Sequence, residues 1–473
     1  MEHVTEGAAA AVRQEPRRSA EPLTERGSAA LARLAAWLRA EVFRESTGSP
    51  VTWRKVLAAA AFVVGCAAIS LARTGGPGAL NSIWIEDAGN FLNDALHKSV
   101  LTTLTTQMNG YYDVVPRIIT AIALAAGGVK FSPAIMSAAA ALQYAGYALL
   151  AFVASAPHLR SVWLRLLVAV PAVVVPLGYT QVNNDLATVQ FIALYGVFWL
   201  LIWRPAGVAA KTTAAVVMLG ITLTSVLPML YAPLVVARLI ADRSKAAISL
   251  TACWAIGIGV QWSVQLRGLS NRPDNWYTSP VWVLKNYVTR AVPRALFGED
   301  ALGGSGTNAE GKPAPLHVAS YAVHDALIAG AWVIVLVVIV VALARLTDPH
   351  WPLAITAAAF SVIIFLGEIV DNLTVVQPRY VIAPALLLYV AIAALLRPKG
   401  GGIGWLPVGV FAALLAVVIG FNYRVTNNGR AQSPAWTSVV ANATRECDAQ
   451  PGLTSVLYQH AWWQVHIPCD RLR

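Results

Sequence analysis

Two adjacent carboxylates, Glu86 and Asp87, follow directly on the first strongly apolar run, inside Trp84-Ile-Glu-Asp-Ala-Gly-Asn-Phe91. Neighbouring side chains on a helix or strand point apart, so one acid can face a cavity while the other orients it or caps the next helix. An acid partly desolvated at a membrane surface has a raised pKa and can take a proton from a hydroxyl. The same pair also reads as a helix N-cap beside a solvated charge. The aromatics Trp84, Phe91, Tyr111 and Tyr112, with Asn109 between them, are of a type that stacks on and hydrogen-bonds a sugar ring.

Cations stand at three later points, and of these Arg379 presents a fork that suits a phosphate. Arg117 closes Asp113-Val-Val-Pro-Arg. Arg379 opens an apolar run as Gln377-Pro-Arg-Tyr380. Lys285 and Arg290 lie on a basic amphipathic stretch, Trp282 to Arg294. Arg379 beside Tyr380 is equally the pattern of an interfacial arginine. Glu368 lies near the end of an apolar run, followed by Asp371 and Asn372, and an acid at that depth needs a partner, for which Arg379 is the candidate. Gln181-Val-Asn183-Asn184-Asp185 forms a polar turn that offers hydrogen bonds to a polyol, or simply turn and cap chemistry. The Pro228 bend reads as structural. The histidines show no metal-ligand spacing and no nucleophile elbow appears.

These groups need a scaffold, and the composition says which. The 473 residues are 57% hydrophobic and 12% charged, with a mean hydropathy of +0.59. A soluble domain carries about a quarter charged residues. The net charge of +11 is distributed mainly between apolar runs, where membrane topology puts it, and argues for no nucleic-acid partner. Apolar runs at 53–73, 134–156, 161–178, 186–203, 211–226, 228–240, 246–265, 320–345, 351–369, 380–396 and 403–421 give about eleven spans in an all-α polytopic protein of the cell membrane. Several fall short of about 20 residues and call for tilted or broken helices.

The basic connections at 160–165, 204–211, 238–245, 345 and 397–399 all fall on one side if the N-terminus is cytoplasmic and the C-terminus extracytoplasmic. That count requires 113–129 to lie as a juxtamembrane helix on the outer surface. Three regions follow. Residues 1–50 are a cytoplasmic segment, disordered over 1–27 and then an interfacial amphipathic helix. Residues 51–423 are the membrane domain, with a flexible Gly303-Gly-Ser-Gly-Thr-Asn stretch. Residues 424–473 are a small external cap, in which Cys447 and Cys469 read as a disulfide rather than a metal pair. No cleavable signal peptide is apparent.

The acidic pair after the first span, Gly110-Tyr-Tyr through Pro116-Arg117, the Ser225 to Pro228 bend and Gln-Pro-Arg379-Tyr380 together resemble the type-C glycosyltransferase superfamily. The tail from Trp463 to Pro468-Cys469 is similar to a small external cap of some bacterial members. The resemblance implies an inverting transfer of a sugar from a polyprenyl-phosphate donor to a glycan, lipid or protein acceptor at the outer face. It implies Asp87 or Glu86 as base, and Arg117, Arg379 and Arg290 as phosphate clamps. Some members use a divalent metal held by such acids, and the residues leave the cofactor open. Many members carry a His-Trp pair in the outward turn where this chain has Asn184-Asp185. The rival reading from the residues alone is a secondary transporter or flippase.

Overall fold

The computed structural model describes residues 23–46, 51–108, 110–178, 183–269, 279–302, 321–370, 377–400, 402–424, 429–460 and 463–472. The expectations placed on residues 1–22, Asn109, Gln181, Gly303 to Asn308, Asp371 and Asn372 lie outside them.

The chain opens with α1 (Leu23–Glu41) and the apolar α2 (Trp53–Leu71). A π-helical turn (Asp87–Leu92) then runs into α3 (Asn93–His97) and α4 (Val100–Thr105). A hairpin of β1 (Gln107–Met108) and β2 (Tyr111–Tyr112) leads to α5 (Val114–Ala154). At 41 residues α5 would be about 60 Å long if straight, twice a hydrocarbon core. It is not straight. Gly128, with φ 56° and ψ −169°, breaks it into an N-terminal arm and a longer helix, dividing it close to where the sequence reading separates a surface helix from a span.

Next come α6 (Val162–Ala169), α7 (Pro171–Val174), α8 (Val189–Ile202), α9 (Val208–Thr224), α10 (Ala232–Ala241) and α11 (Lys245–Leu266). The remaining helices are α12 (Pro280–Asn286), α13 (Val292–Leu302), α14 (Tyr321–Leu343), α15 (Trp351–Val370), α16 (Ile382–Leu395), α17 (Leu406–Phe421) and α18 (Trp436–Ala449). The chain closes with an antiparallel hairpin of β3 (Ser455–His460) and β4 (Trp463–Pro468). Among the described residues sheet is thus confined to two hairpins, and the expected all-α architecture is relaxed by the one in the tail.

Among the described residues six helical segments are long and apolar enough to cross a membrane: Trp53–Leu71, Val114–Ala154, Lys245–Leu266, Ala322–Leu343, Trp351–Val370 and Pro378–Leu395. Five further apolar helices are shorter. α8 and α16 are hydrophobic on every face and buried along their whole length, so they form the centre. The outer helices expose large side chains such as Val64, Ile256, Leu336 and Val340. So broad an apolar surface suits lipid and not water. Close packing at the centre depends on Gly196, where a Cβ would come within 2.6 Å of the Tyr147 ring.

The connections separate into two groups. At one end Arg204 pairs with Asp242 (3.1 Å), Arg39 donates to the Ala241 carbonyl (2.6 Å), and Arg397 binds Asp348 and reaches the His158 carbonyl (3.4 Å). The basic connections therefore gather at a single end of the bundle. At the other end Arg73 donates to the carbonyls of Val173, Val175 and Tyr423, drawing together the exits of three helices. There the tail packs α18 and its hairpin, joined by a Cys447–Cys469 disulfide, against the loop after α2. The two share a second core of Ile83, Trp84, Leu92, Trp436 and Trp463.

Candidate functional site

The site lies at the end that carries the tail. Asp87 starts the π-helical turn, 2% exposed, and its two oxygens accept the backbone N–H groups of Leu186 (3.0 Å) and Ala187 (3.2 Å). Asp185, fully buried beside it, accepts the Ala187 N–H on its own carboxyl (3.1 Å), and burial and the neighbouring Asp87 push that carboxyl well above the usual range. Asp87 is itself raised by burial, against the pull of Asp185, the two amides and the Arg430 charge. With two backbone amides on its oxygens, Asp87 is committed to holding the 185–188 turn.

Asn184 is held in the same way. It adopts φ 57°, its amide donates to the Ser70 carbonyl (2.9 Å) and its oxygen accepts from the Ser70 hydroxyl (2.8 Å). Asn184 therefore ties the turn before α8 to the end of α2.

Glu86 differs. It is partly exposed, and no side chain among the described residues hydrogen-bonds its carboxyl. Burial raises its pKa, the charge of Arg379 lowers it, and Asp87 adds to the rise, leaving it above the usual range. Arg379 lies over the rings of Phe191 (5.8 Å) and Tyr380 (5.3 Å), with Nη2 on the Tyr380 hydroxyl (3.3 Å). Its Nε is buried without a hydrogen-bond partner among the described residues. Tyr111, within electrostatic reach of Arg379, accepts a hydrogen bond from Gln190 Nε2 (2.9 Å). Glu368 is buried within α15, also within reach of the Arg379 charge. Glu86, Tyr111 and Tyr380 thus cluster within electrostatic reach of Arg379.

An apolar groove of about 590 Å³ runs along α5, α8 and α9. Its near end is lined by Pro116, Leu186 and Gln190, the last two bonded to Asp87 and Tyr111, and its far end by Leu200 and Trp203. The 14 residues of α8 make it about 20 Å long. Val153 and Val216 on its walls are exposed, so it opens sideways toward lipid.

No known protein family, curated protein or solved structure matches this chain. The site must be read from its own geometry.

That geometry revises several expectations. Trp84 is buried among the tail tryptophans and Phe91 lies in the main core with the Arg117 guanidinium over its ring at 5.4 Å, so neither is a platform for a sugar. Arg117 is 1% exposed and paired with Asp94 at 2.8 Å, which Lys98 also binds, so it is not a free clamp. Tyr112 is buried and its backbone is fixed at both N–H and C=O by Gln261 of α11 (2.8 and 3.0 Å), which seats the hairpin. Lys285 is exposed on α12 and Arg290 is half-buried, and no contact among the described residues joins either to Glu86. No group of three or more His, Cys, Asp or Glu among the described residues is arranged to hold a metal ion. The oxygens of Asp87 already accept two amides, which leaves that carboxylate poorly placed to ligate a metal.

Three residues carried no sequence signal. Gln190 is one polar residue in an apolar helix, and Arg430 sits in an unremarkable tail segment. Asp113 reads as the cap of α5 but makes no cap bond. It is fully buried with both oxygens unpartnered among the described residues, and burial, Glu86 and Asp87 raise it well above the usual range against the charge of Arg117. A carboxyl with a raised folded-state pKa favours the fold while protonated, and that advantage is lost as pH climbs through the raised value. The Tm of the wild type should therefore fall from mildly acidic toward alkaline pH more steeply than that of Asp113→Asn. Parallel Tm–pH profiles would show that Asp113 is not held protonated.

Proposed function

We propose that this chain is an integral membrane glycosyltransferase, similar to the type-C superfamily, that moves a sugar from a polyprenyl-phosphate donor to a hydroxyl acceptor at the extracytoplasmic face with inversion. The observation that carries the reading is a desolvated acid, Glu86, beside Arg379, with a sideways-open apolar groove whose lining residue Gln190 bonds the Tyr111 that lies within reach of that arginine. A donor with a long apolar tail and a phosphate head fits such an arrangement. The tail lies in the groove, the phosphate meets the Arg379 fork, and the sugar lies between Tyr111 and Glu86. The acceptor oxygen attacks the anomeric carbon while the bond from that carbon to the phosphate oxygen breaks. The lipid phosphate leaves with the electron pair, its charge met by Arg379, and Glu86 takes the hydroxyl proton. The end bearing Glu86 and the tail faces outward and the basic end faces the cytoplasm, in accord with the positive-inside rule.

The test is transfer of radiolabelled sugar from polyprenyl-phosphate by the purified protein in proteoliposomes. Uptake of a solute without transfer would replace the enzyme with a transporter. The groove has its own variant. Gly146 lines it with nothing within 4 Å of a built Cβ, so Gly146→Phe places a ring in the groove without a clash at the backbone. Its KM for a long-chain donor should rise about tenfold or more, from lost apolar burial, while a donor with a truncated tail is unaffected. Equal effects on both donors would remove the tail from the groove.

A further inference from the structure

We propose that a basic hollow at the opposite end of the bundle, between the end of α14 and the start of α15, binds the phosphate of an anionic phospholipid. The hollow has a volume of about 430 Å³ and is lined by Leu343, Arg345, Thr347, Asp348, Trp351 and Lys399.

Its charges do not cancel internally. The Asp348 carboxylate is taken by Arg397, which also donates from Nε to the Asp348 carbonyl (2.8 Å). The Thr347 hydroxyl donates to the Leu395 carbonyl (2.7 Å). Lys399 gives one of its three protons to the Arg345 carbonyl (3.4 Å), and the Arg345 guanidinium has no partner among the described residues. A planar fork and a point cation therefore face the same cavity with donors to spare, the combination that suits a phosphate group. Arg345 holds φ 56° at the end of α14, a position where helices usually end in glycine.

The surroundings select a lipid over a soluble phosphate. Leu343 and Leu346 on the rim are 65% and 60% exposed, and Val340, one turn below, is 53% exposed on the outer face of α14. Acyl chains can descend along these side chains, and a free anion has no use for them. The same end carries α1, which exposes Leu31, Leu34 and Trp37 while Arg39 ties it to α10, the arrangement of a helix lying at a bilayer surface. The hollow therefore sits at headgroup depth. It is remote from Glu86, so the inference stands apart from the enzymatic reading.

The experiment uses the full chain in phosphatidylcholine nanodiscs, with bound lipid read by native mass spectrometry during titration with phosphatidylglycerol. The double variant Arg345→Gln/Lys399→Gln should lose about 30-fold in affinity for phosphatidylglycerol, since each cation near an anionic headgroup contributes about fivefold. Arg54→Gln/Lys55→Gln removes the same charge at the start of α2 and should leave the affinity near that of the wild type. Equal binding by wild type and the first variant, with Tm unchanged, would overturn the site. Equal losses in both variants would reduce it to general surface charge. Complete displacement of the lipid by millimolar glycerol 3-phosphate would assign the hollow to a soluble phosphate and overturn the lipid.

Discussion

Replacing Glu86 by Gln is expected to lower sugar transfer by about 10²–10⁴-fold while leaving Tm unchanged or slightly higher. The amide keeps the shape of the side chain and removes only its ability to accept a proton. It also removes the cost of a desolvated charge, because no side chain among the described residues hydrogen-bonds the Glu86 carboxyl and burial raises its pKa. Asp87→Asn separates the two roles. There, one oxygen that accepts an amide of the 185–188 turn becomes a donor facing a donor. That variant should lose about 1–3 kcal/mol of stability, and its loss of activity should track its loss of folded protein. The pH profile adds an independent reading. A base must be ionised, so transfer by the wild type should rise with pH along a limb displaced upward from the ordinary carboxylate range by burial of Glu86. The Arg379 charge holds that limb down, so Arg379→Gln should move it further up as well as lower the rate. Transfer that survives Glu86→Gln intact would take the carboxylate out of the chemistry.

The choice between the two acids was hidden from the sequence for a simple reason. What commits Asp87 is a pair of backbone amides, at Leu186 and Ala187, that come from a turn about a hundred residues away. No local pattern announces a main-chain donor. Trp84 and Phe91 misled in a related way, because an aromatic beside an acid resembles a sugar platform until its partners are known. Those partners are Trp436 and Trp463 of the tail for the first, and the main bundle core for the second. Asp113 was silent because an aspartate just before Val-Val-Pro is what a helix cap requires, whether or not it makes the bond.

The helical architecture was legible because the bilayer dictates it. A span needs an apolar run of fixed length, and such runs are visible in one dimension. The grouping of the basic connections follows from the same constraint. Charges at alternate loops must fall at one end, and the contacts of Arg204, Arg39 and Arg397 place those loops together. The break in α5 was half-visible. The length of the apolar run required a discontinuity, while Gly127-Gly128 offered two positions and only the left-handed φ of Gly128 fixes which one turns.

Arg430 bears the largest structural expectation. It is 4% exposed and donates to the carbonyls of Ala79, Ser82, Asn183 and Asn184 and to the hydroxyls of Ser82 (3.1 Å) and Ser137 (2.7 Å). One side chain thereby joins the tail, the loop after α2, the turn before α8 and the long arm of α5. Its charge also offsets the buried Asp87 and Asp185. Arg430→Leu preserves apolar volume but strands these acceptors, and should cost about 3–5 kcal/mol. Arg445→Ala, at an exposed position on α18, should change stability by less than about 0.5 kcal/mol. Arg430→Lys should recover only part of the loss, since three donors at a point cannot reach acceptors on three sides. Thermal unfolding in detergent reads the order, and limited proteolysis of the tail reads its release. If Arg430→Leu melted with the Arg445→Ala protein, the tail would be a passenger on the membrane domain, and the seating of the 183–187 turn would have to come from Asp87 and the Asn184–Ser70 bonds.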